Sequence, residues 1–189
     1  MKLHIFGASA SGVTTLGEAL AEKLNLDYFD SDAYFWEETE PPFTIKRNPE
    51  ERNTRISKAL NESKNFILGG SIIHWGENIF PVFDLIVFLH LPNEIRMQRL
   101  KNRELERYGD LIYTDSLRKE KYEEFVKWAH DYDFDTGIAN RTLNAHKSWL
   151  EKTDSPVLEL IGDIPVSEKI ITIISKLKEK NLIPEQHRY

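Results

Sequence analysis

Gly7-Ala8-Ser9-Ala10-Ser11-Gly12-Val13-Thr14 decides the reading of this chain. The stretch has the spacing of the phosphate-binding loop G-x-x-x-x-G-K-[ST], with every defined position met except the seventh, where Val13 stands in place of lysine. Its flanks strengthen the reading. Leu3-His4-Ile5-Phe6 precedes Gly7 as a buried strand would, and Leu16, Ala19, Leu20, Ala21 and Leu24 recur behind Gly12 at the spacing of an apolar helix face. Strand, glycine loop and helix is the arrangement that lets loop N–H groups and a helix N-terminus converge on an anion. Gly7 and Gly12 permit the close backbone approach this needs. An ordinary β–α turn rich in small residues would carry the same glycines without a ligand, and the flanks favour the phosphate site.

The rest of the chain extends the same alternation. Strands are expected at 26–29, 65–68, 84–89 and 156–161, and helices at 49–62, from Pro92 to about Tyr108, and at 166–180. Residues 37–49 are polar and broken by Pro41, Pro42 and Pro49, hence a loop, and 182–189 reads as a loose tail. Short apolar runs alternating with helical patterns predict a parallel α/β sheet in one domain spanning 1–189. With 189 residues, 40% of them hydrophobic, the chain has material for one sizeable core. No apolar stretch approaches a bilayer span and no secretory signal opens the sequence, so a cytoplasmic location and no membrane partner are expected. The absence of cysteine excludes disulfides, cysteine nucleophiles and thiolate metal sites. A net charge of −6 argues against a generic nucleic-acid surface but leaves room for a basic cluster inside a cleft.

Taken in order, the loop at 7–17 (Gly-Ala-Ser-x-Ser-Gly-Val-Thr-Thr-Leu-Gly), Tyr28-Phe29-Asp30-Ser31-Asp32 ending the second strand, Gly69-Gly70 ending the third, a Pro-initiated arginine helix after the fourth and a final strand and helix resemble the adenylate kinase and shikimate kinase group of P-loop small-molecule kinases. Within that group the chain resembles the uncharacterised branch labelled adenylate-kinase-like or AAA-family ATPase, and Asp32-x-x-Phe35-Trp36 is similar to kinases labelled DNA topology modulation proteins. The resemblance covers about residues 1–180. It implies a P-loop NTPase fold: a five-stranded parallel sheet in the order 2-3-1-4-5 flanked by helices, with ligands at the C-terminal strand ends. It also implies an acceptor-binding segment at about 33–63 and a helical lid at about 104–136. The lid region is rich in aromatic residues, and Glu120–His130 has helical character.

The resemblance assigns roles to residues already conspicuous by type. Gly7, Ala8, Ser9, Ala10, Ser11, Gly12, Val13, Thr14 and Thr15 would bind nucleotide, with the Thr14 hydroxyl a ligand of Mg2+ travelling with ATP; both threonines could equally cap the helix. Asp32 would orient the acceptor hydroxyl, accept its proton or hold the metal through water, while Asp30 assists or serves the turn. Gly69 and Gly70 would let an acceptor approach the backbone, and His74 and Trp75 would line its pocket or pack. Arg96, Arg99, Arg103 and Arg107 share one helix stripe, either a solvated face or a phosphate clamp. Arg99 and Arg103 fit the group's Arg-Leu-x-x-Arg run and Arg141 its post-lid arginine, so these three join Asp32 as catalytic candidates. Lys46, Arg47, Arg52 and Arg55 form a basic stretch suited to an anionic acceptor, with Arg47 the residue singled out for contact.

Val13 separates two functions. In one the protein is an ATP-dependent kinase of a nucleotide or small metabolite, and an arginine supplies the charge that the loop lacks. In the other it is a nucleotide-binding regulator or sensor with little transferase activity.

Overall fold

The computed structural model describes residues 1–76 and 79–184. The chain runs β1 Lys2–Gly7, α1 Val13–Leu24, β2 Asp27–Asp30, α2 Ser31–Phe35, α3 Pro49–Glu62, β3 Phe66–Gly69, β4 Leu85–His90, α4 Asn93–Tyr108, α5 Leu111–Thr114, α6 Ser116–Asp131, α7 Leu143–Leu150, β5 Val157–Ile161 and α8 Val166–Glu179. The strands form one five-stranded sheet in the order β2-β3-β1-β4-β5, with every pairing parallel. This is the expected topology.

Side chains alternate across β1, and both of its faces are buried, as parallel sheets covered by crossover helices require. Leu3 and Ile5 join Leu16 and Leu20 of α1 and Ile173, Ile174 and Leu177 of α8 in one apolar cluster. Phe6 joins Ile56 and Leu60 of α3, with Leu143, Trp149 and Leu150 around α7, in the other. His4 lies among those aromatics, its Nδ1 3.0 Å from the Leu68 carbonyl. Burial holds its pKa down to about 4, so the ring is neutral.

Register places the functional rim. Ile5 and Asp30 both stand opposite Gly69, and Gly7 stands opposite Leu89. The C-terminal ends of β1, β2 and β3 therefore deliver the glycine loop, Asp30 and Gly70-Ser71 to one edge.

Local signals account for the helix starts. Asn48 caps α3 by accepting from the Glu50 and Glu51 amides, with Pro49 as the first helical residue, and Asp30 caps α2 by accepting from the Asp32 amide. Three helices went beyond the sequence expectations. α2 occupies what read as a turn after the second strand, α5 is a single turn within the lid region, and α7 had no assignment. Thr142, whose hydroxyl accepts from the Ala145 amide, is the cap signal that marks the start of α7. α6 begins at Ser116, four residues before the expected helical stretch. The loose-tail expectation needs correction at its start, because Leu182 and Ile183 pack against the α1/α8 cluster. Residues 185–189 lie outside the described residues.

Candidate active site

The β1–α1 connection is a tight glycine loop. Gly12 has φ +91 and Ala10 φ +65, so the backbone twice adopts the left-handed conformation before α1 begins. A Cβ on Gly7 would stand 2.5 Å from the Leu89 carbonyl and 2.6 Å from Ser11 Oγ, which leaves glycine as the residue that fits. The Ser11 amide donates to the Ala8 carbonyl at 3.1 Å, and its side chain is buried. Ser11 therefore closes the loop on itself and lies beneath the cleft surface. Ala8, Ser9, Ala10, Gly12, Val13, Thr14 and Thr15 all border a cleft of about 880 Å³, within the size range of small-ligand sites. Val13 is partly buried against the α1/α8 cluster.

Six cations face this cleft (Arg96, Arg99, Arg103, Arg107, Arg141 and Lys169) against three carboxylates (Asp30, Asp32 and Asp163). The site is thus locally positive in a chain of net charge −6. The arginines are not equivalent. Arg99 pairs with Asp163 at 2.6 Å, at the β5–α8 connection. Arg103 and Arg107 share Glu104, at 3.2 and 3.9 Å. Arg96 is fully buried and ties three elements together: Nη2 donates to Asp133 at 2.6 Å and to the Ala129 carbonyl at 2.8 Å, and Nη1 to the Ser9 carbonyl at 3.4 Å. Its charge is compensated beneath the loop by Asp133.

Arg141 differs from the other cleft arginines in having no carboxylate within ion-pair distance among the described residues. Its guanidinium lies over the Phe35 ring at 5.1 Å and feels Asp32 through space. Burial lowers its pKa, and Asp32 partly restores it. Asp32 shows the converse balance. Burial and then Asp30 raise its pKa, and the charges of Arg141, Arg103 and Arg107 oppose that rise. Asp32 is thus a carboxylate held above its ordinary range although three arginines act on it.

Asp30 serves the turn after β2 and also reaches the glycine loop. One carboxylate oxygen accepts from the Asp32 amide at 2.9 Å, and the other accepts from the Thr14 hydroxyl at 3.2 Å. Two hard oxygen donors therefore meet at the start of α1.

The structure does not bring every expected residue to the cleft. Arg47 is the clearest correction. Its guanidinium is buried, donates to the Tyr34 and Trp36 carbonyls at 3.0 and 2.8 Å and pairs with Glu37 at 3.2 Å, pinning the 36–47 loop instead of facing an acceptor. Arg55 pairs with Glu51 at 2.6 Å. Gly69 is required by packing, since a Cβ there would collide with the Tyr28 ring. Gly70, at φ +94, does border the cleft, and a Cβ on it would collide with Ser31 Oγ. His74 is exposed and Trp75 is buried under Arg52, whose guanidinium stands 4.0 Å from the indole. Conversely, Ser71, Trp128, Tyr132, His146 and Lys169 border the cleft although no local sequence signal marked them.

Among the described residues no helix is long and apolar enough to cross a membrane. The model of the shikimate kinase family matches residues 9–149. The chain is 36% identical over 175 residues to the uncharacterized protein YqaC of Bacillus subtilis (strain 168), covering 93% of this chain and 96% of that protein. It is 27% identical over 158 residues to a shikimate kinase of Caldicellulosiruptor bescii, covering 75% of this chain and 89% of that one. The crystal structure of shikimate kinase from Bacteroides thetaiotaomicron superposes with a TM-score of 0.57 at 16% identity, over 94% of this chain and 98% of that chain. With three-quarters of its length matched by that family's model, the chain belongs to the shikimate kinase family of P-loop small-molecule kinases.

Proposed function

We propose that the protein transfers the γ-phosphoryl group of ATP to a hydroxyl of a small anionic acceptor bound between Asp32 and Arg141. The acceptor oxygen attacks the γ-phosphorus, the bond to the β–γ bridging oxygen breaks, ADP leaves, and the acceptor proton passes to Asp32. The observation that carries this reading is Asp32 itself, a carboxylate with a raised pKa in the same cleft as the glycine loop and under the influence of three arginines. Positioning and charge stabilisation supply most phosphoryl-transfer catalysis, so cations from α4 and from the segment before α7 can serve where the loop lacks lysine. Arg99, beside the β5–α8 connection, holds the nucleotide end, and Arg103 and Arg141 face the transferred group. Arg52 and Arg141 both lie against Phe35, at 5.9 and 5.1 Å, and each lowers its hold on a proton chiefly through burial. Two neighbouring guanidiniums of this kind favour an anionic acceptor.

Thr14 and Asp30 fit Mg2+, which takes oxygen donors and retains waters and substrate phosphates in preference to an all-protein cage. When bound, the ion neutralises charge on the β- and γ-phosphates. Residues 104–136 act as a lid whose α6 face, at Trp128 and Ala129, already borders the cleft.

The test is ADP release from Mg-ATP across a panel of hydroxylated carboxylates and nucleoside monophosphates, beginning with shikimate. Asp32→Asn is expected to lower kcat by about 10² to 10⁴, the range for a lost general base. Turnover unaffected by this substitution would defeat the proposal. Val13, packed in the apolar cluster and leaving the loop without its own cation, favours the sensor as second reading. Tight ATP binding with no turnover of any acceptor would establish that alternative.

A further inference from the structure

Three side chains that phosphoryl transfer does not require form one hydrogen-bonded chain ending at the cleft. The Tyr132 hydroxyl lies 2.9 Å from His146 Nδ1, and His146 Nε2 lies 2.9 Å from Ser71 Oγ. His146 is 1% exposed and Tyr132 4%, while Ser71 is part-buried at the cleft wall directly after the left-handed Gly70. Phe6 and Phe88 meet the imidazole edge-on at 4.9 and 5.9 Å, which fixes its plane. Burial, reinforced by Arg141, holds the His146 pKa down to about 3. The ring is therefore neutral and carries a single N–H.

That leaves two tautomers. With the hydrogen on Nδ1, the ring donates to the Tyr132 oxygen and Ser71 donates to Nε2. The phenolic hydrogen is then orphaned, because His146 is the hydrogen-bond partner of Tyr132 Oη among the described residues. A buried donor left unmade costs about 1–3 kcal/mol. With the hydrogen on Nε2, Tyr132 donates to Nδ1, Nε2–H donates to Ser71 Oγ, and the Ser71 hydrogen is free to turn into the cleft. The 4% exposed phenol is then paired, the one hydrogen left over belongs to the more exposed Ser71 at the cleft wall, and the serine, accepting from the ring, is a stronger donor for it.

We propose that Ser71 binds the phosphate acceptor as a hydrogen-bond donor, set in that role by the Nε2–H tautomer of His146 and the hydroxyl of Tyr132, and that it selects acceptors with an anionic oxygen beside Arg141. The ligand's identity as an acceptor rests on the kinase reading above; the polarity of the chain does not. Ser71 and Arg141 line the same cleft, and Arg141 acts electrostatically on His146. A hydrogen-bond donor and a guanidinium in one cleft suit an anionic carboxylate or phosphate, and penalise a ligand that presents a hydroxyl hydrogen or an amine to the serine.

The test has two arms. Long-range 1H–15N correlation on the intact protein, with His146 assigned by comparison with His146→Gln, reads the tautomer directly. An Nε2–H signature is expected, and Nδ1–H would overturn the proposal. In the second arm, Ser71→Ala is expected to raise the acceptor KM tenfold or more while the ATP KM stays unchanged, and Ser71→Thr, which keeps the hydroxyl, is expected to restore it. An unchanged acceptor KM in Ser71→Ala overturns the proposal. If no panel compound is phosphorylated, the kinase reading fails separately. Calorimetric titration of the AMP-PNP-loaded protein with shikimate and gluconate then decides: weaker binding by Ser71→Ala supports the donor role, and equal or absent binding in both proteins refutes it.

Discussion

Replacing Arg96 by methionine keeps much of the aliphatic volume and removes the guanidinium that joins α4, the end of α6 and the glycine loop. The loss can be worked from its contacts. Asp133 forfeits a 2.6 Å charge-assisted bond but keeps the Asn93 amide at 2.7 Å and is 14% exposed, so water reaches it in part. The Ala129 carbonyl loses a 2.8 Å donor in a residue 1% exposed, and the Ser9 carbonyl loses a longer one. Breaking a buried pair from one side costs about 3–5 kcal/mol, and the partial hydration of Asp133 puts the expectation near the lower end, about 3 kcal/mol. With a urea slope of about 2 kcal/mol/M, that is a midpoint lowered by about 1.5 M. Urea unfolding followed by tryptophan fluorescence measures it. The same variant frees the Ser9 carbonyl in the glycine loop, so nucleotide affinity is expected to weaken as well. Arg96→Met/Asp133→Asn removes both charges and should be more stable than the sum of the single losses predicts, by about 2 kcal/mol. A single-variant loss below about 1 kcal/mol, or strict additivity in the double variant, would refute the view that Arg96 is a compensated structural clamp.

Two pH predictions follow from carboxylates in opposite environments. Asp32 must be ionised to accept a proton, and its raised pKa places the acid limb of kcat/KM above the ordinary aspartate range; Arg141→Ala, which removes an opposing cation, should move that limb higher still in a pH–rate profile, and a downward shift would refute it. Because the folded state binds this proton more tightly, ionised Asp32 lowers stability as pH rises, so Asp32→Asn should raise the melting temperature at neutral pH while lowering turnover. Asp131 is the converse. Its carboxylate accepts from the Thr136 hydroxyl and the Thr136, Ile138 and Ala139 amides, which hold its pKa down to about 2. The stability it contributes is complete above the unfolded value near 4 and is lost as pH falls toward 2, so thermal melts of the wild type should fall more steeply across that window than those of Asp131→Asn.

The fold was legible because its signals are local. The apolar runs of β1 and β4, the glycine spacing before α1 and the Asn48-Pro49 start of α3 each act within a few residues, and strand ends moved by about one position between expectation and structure. α7 escaped because its apolar residues, Leu143, Trp149 and Leu150, are too few to show a period and acquire meaning through Phe6 and Phe88 of the sheet. The site was legible in part. The glycine loop, Asp32 and Arg141 were expected by type and order and do border the cleft, whereas Arg47 resembled an acceptor ligand until the Tyr34 and Trp36 carbonyls claimed its donors.

By itself the sequence determined that a phosphate loop opens a parallel α/β kinase fold, since a glycine pattern between an apolar strand and an amphipathic helix has few other uses. Which charges remain available in the cleft was decided by tertiary structure alone. Arg96 with Asp133 and Arg99 with Asp163 are pairings between separate elements, and together with the local Glu104 pairs inside α4 they leave Arg141 facing Asp32. The Ser71–His146–Tyr132 chain likewise joins residues 75 and 14 positions apart. Charge and hydrogen-bond polarity are properties of neighbours in space, and a one-dimensional pattern does not contain them.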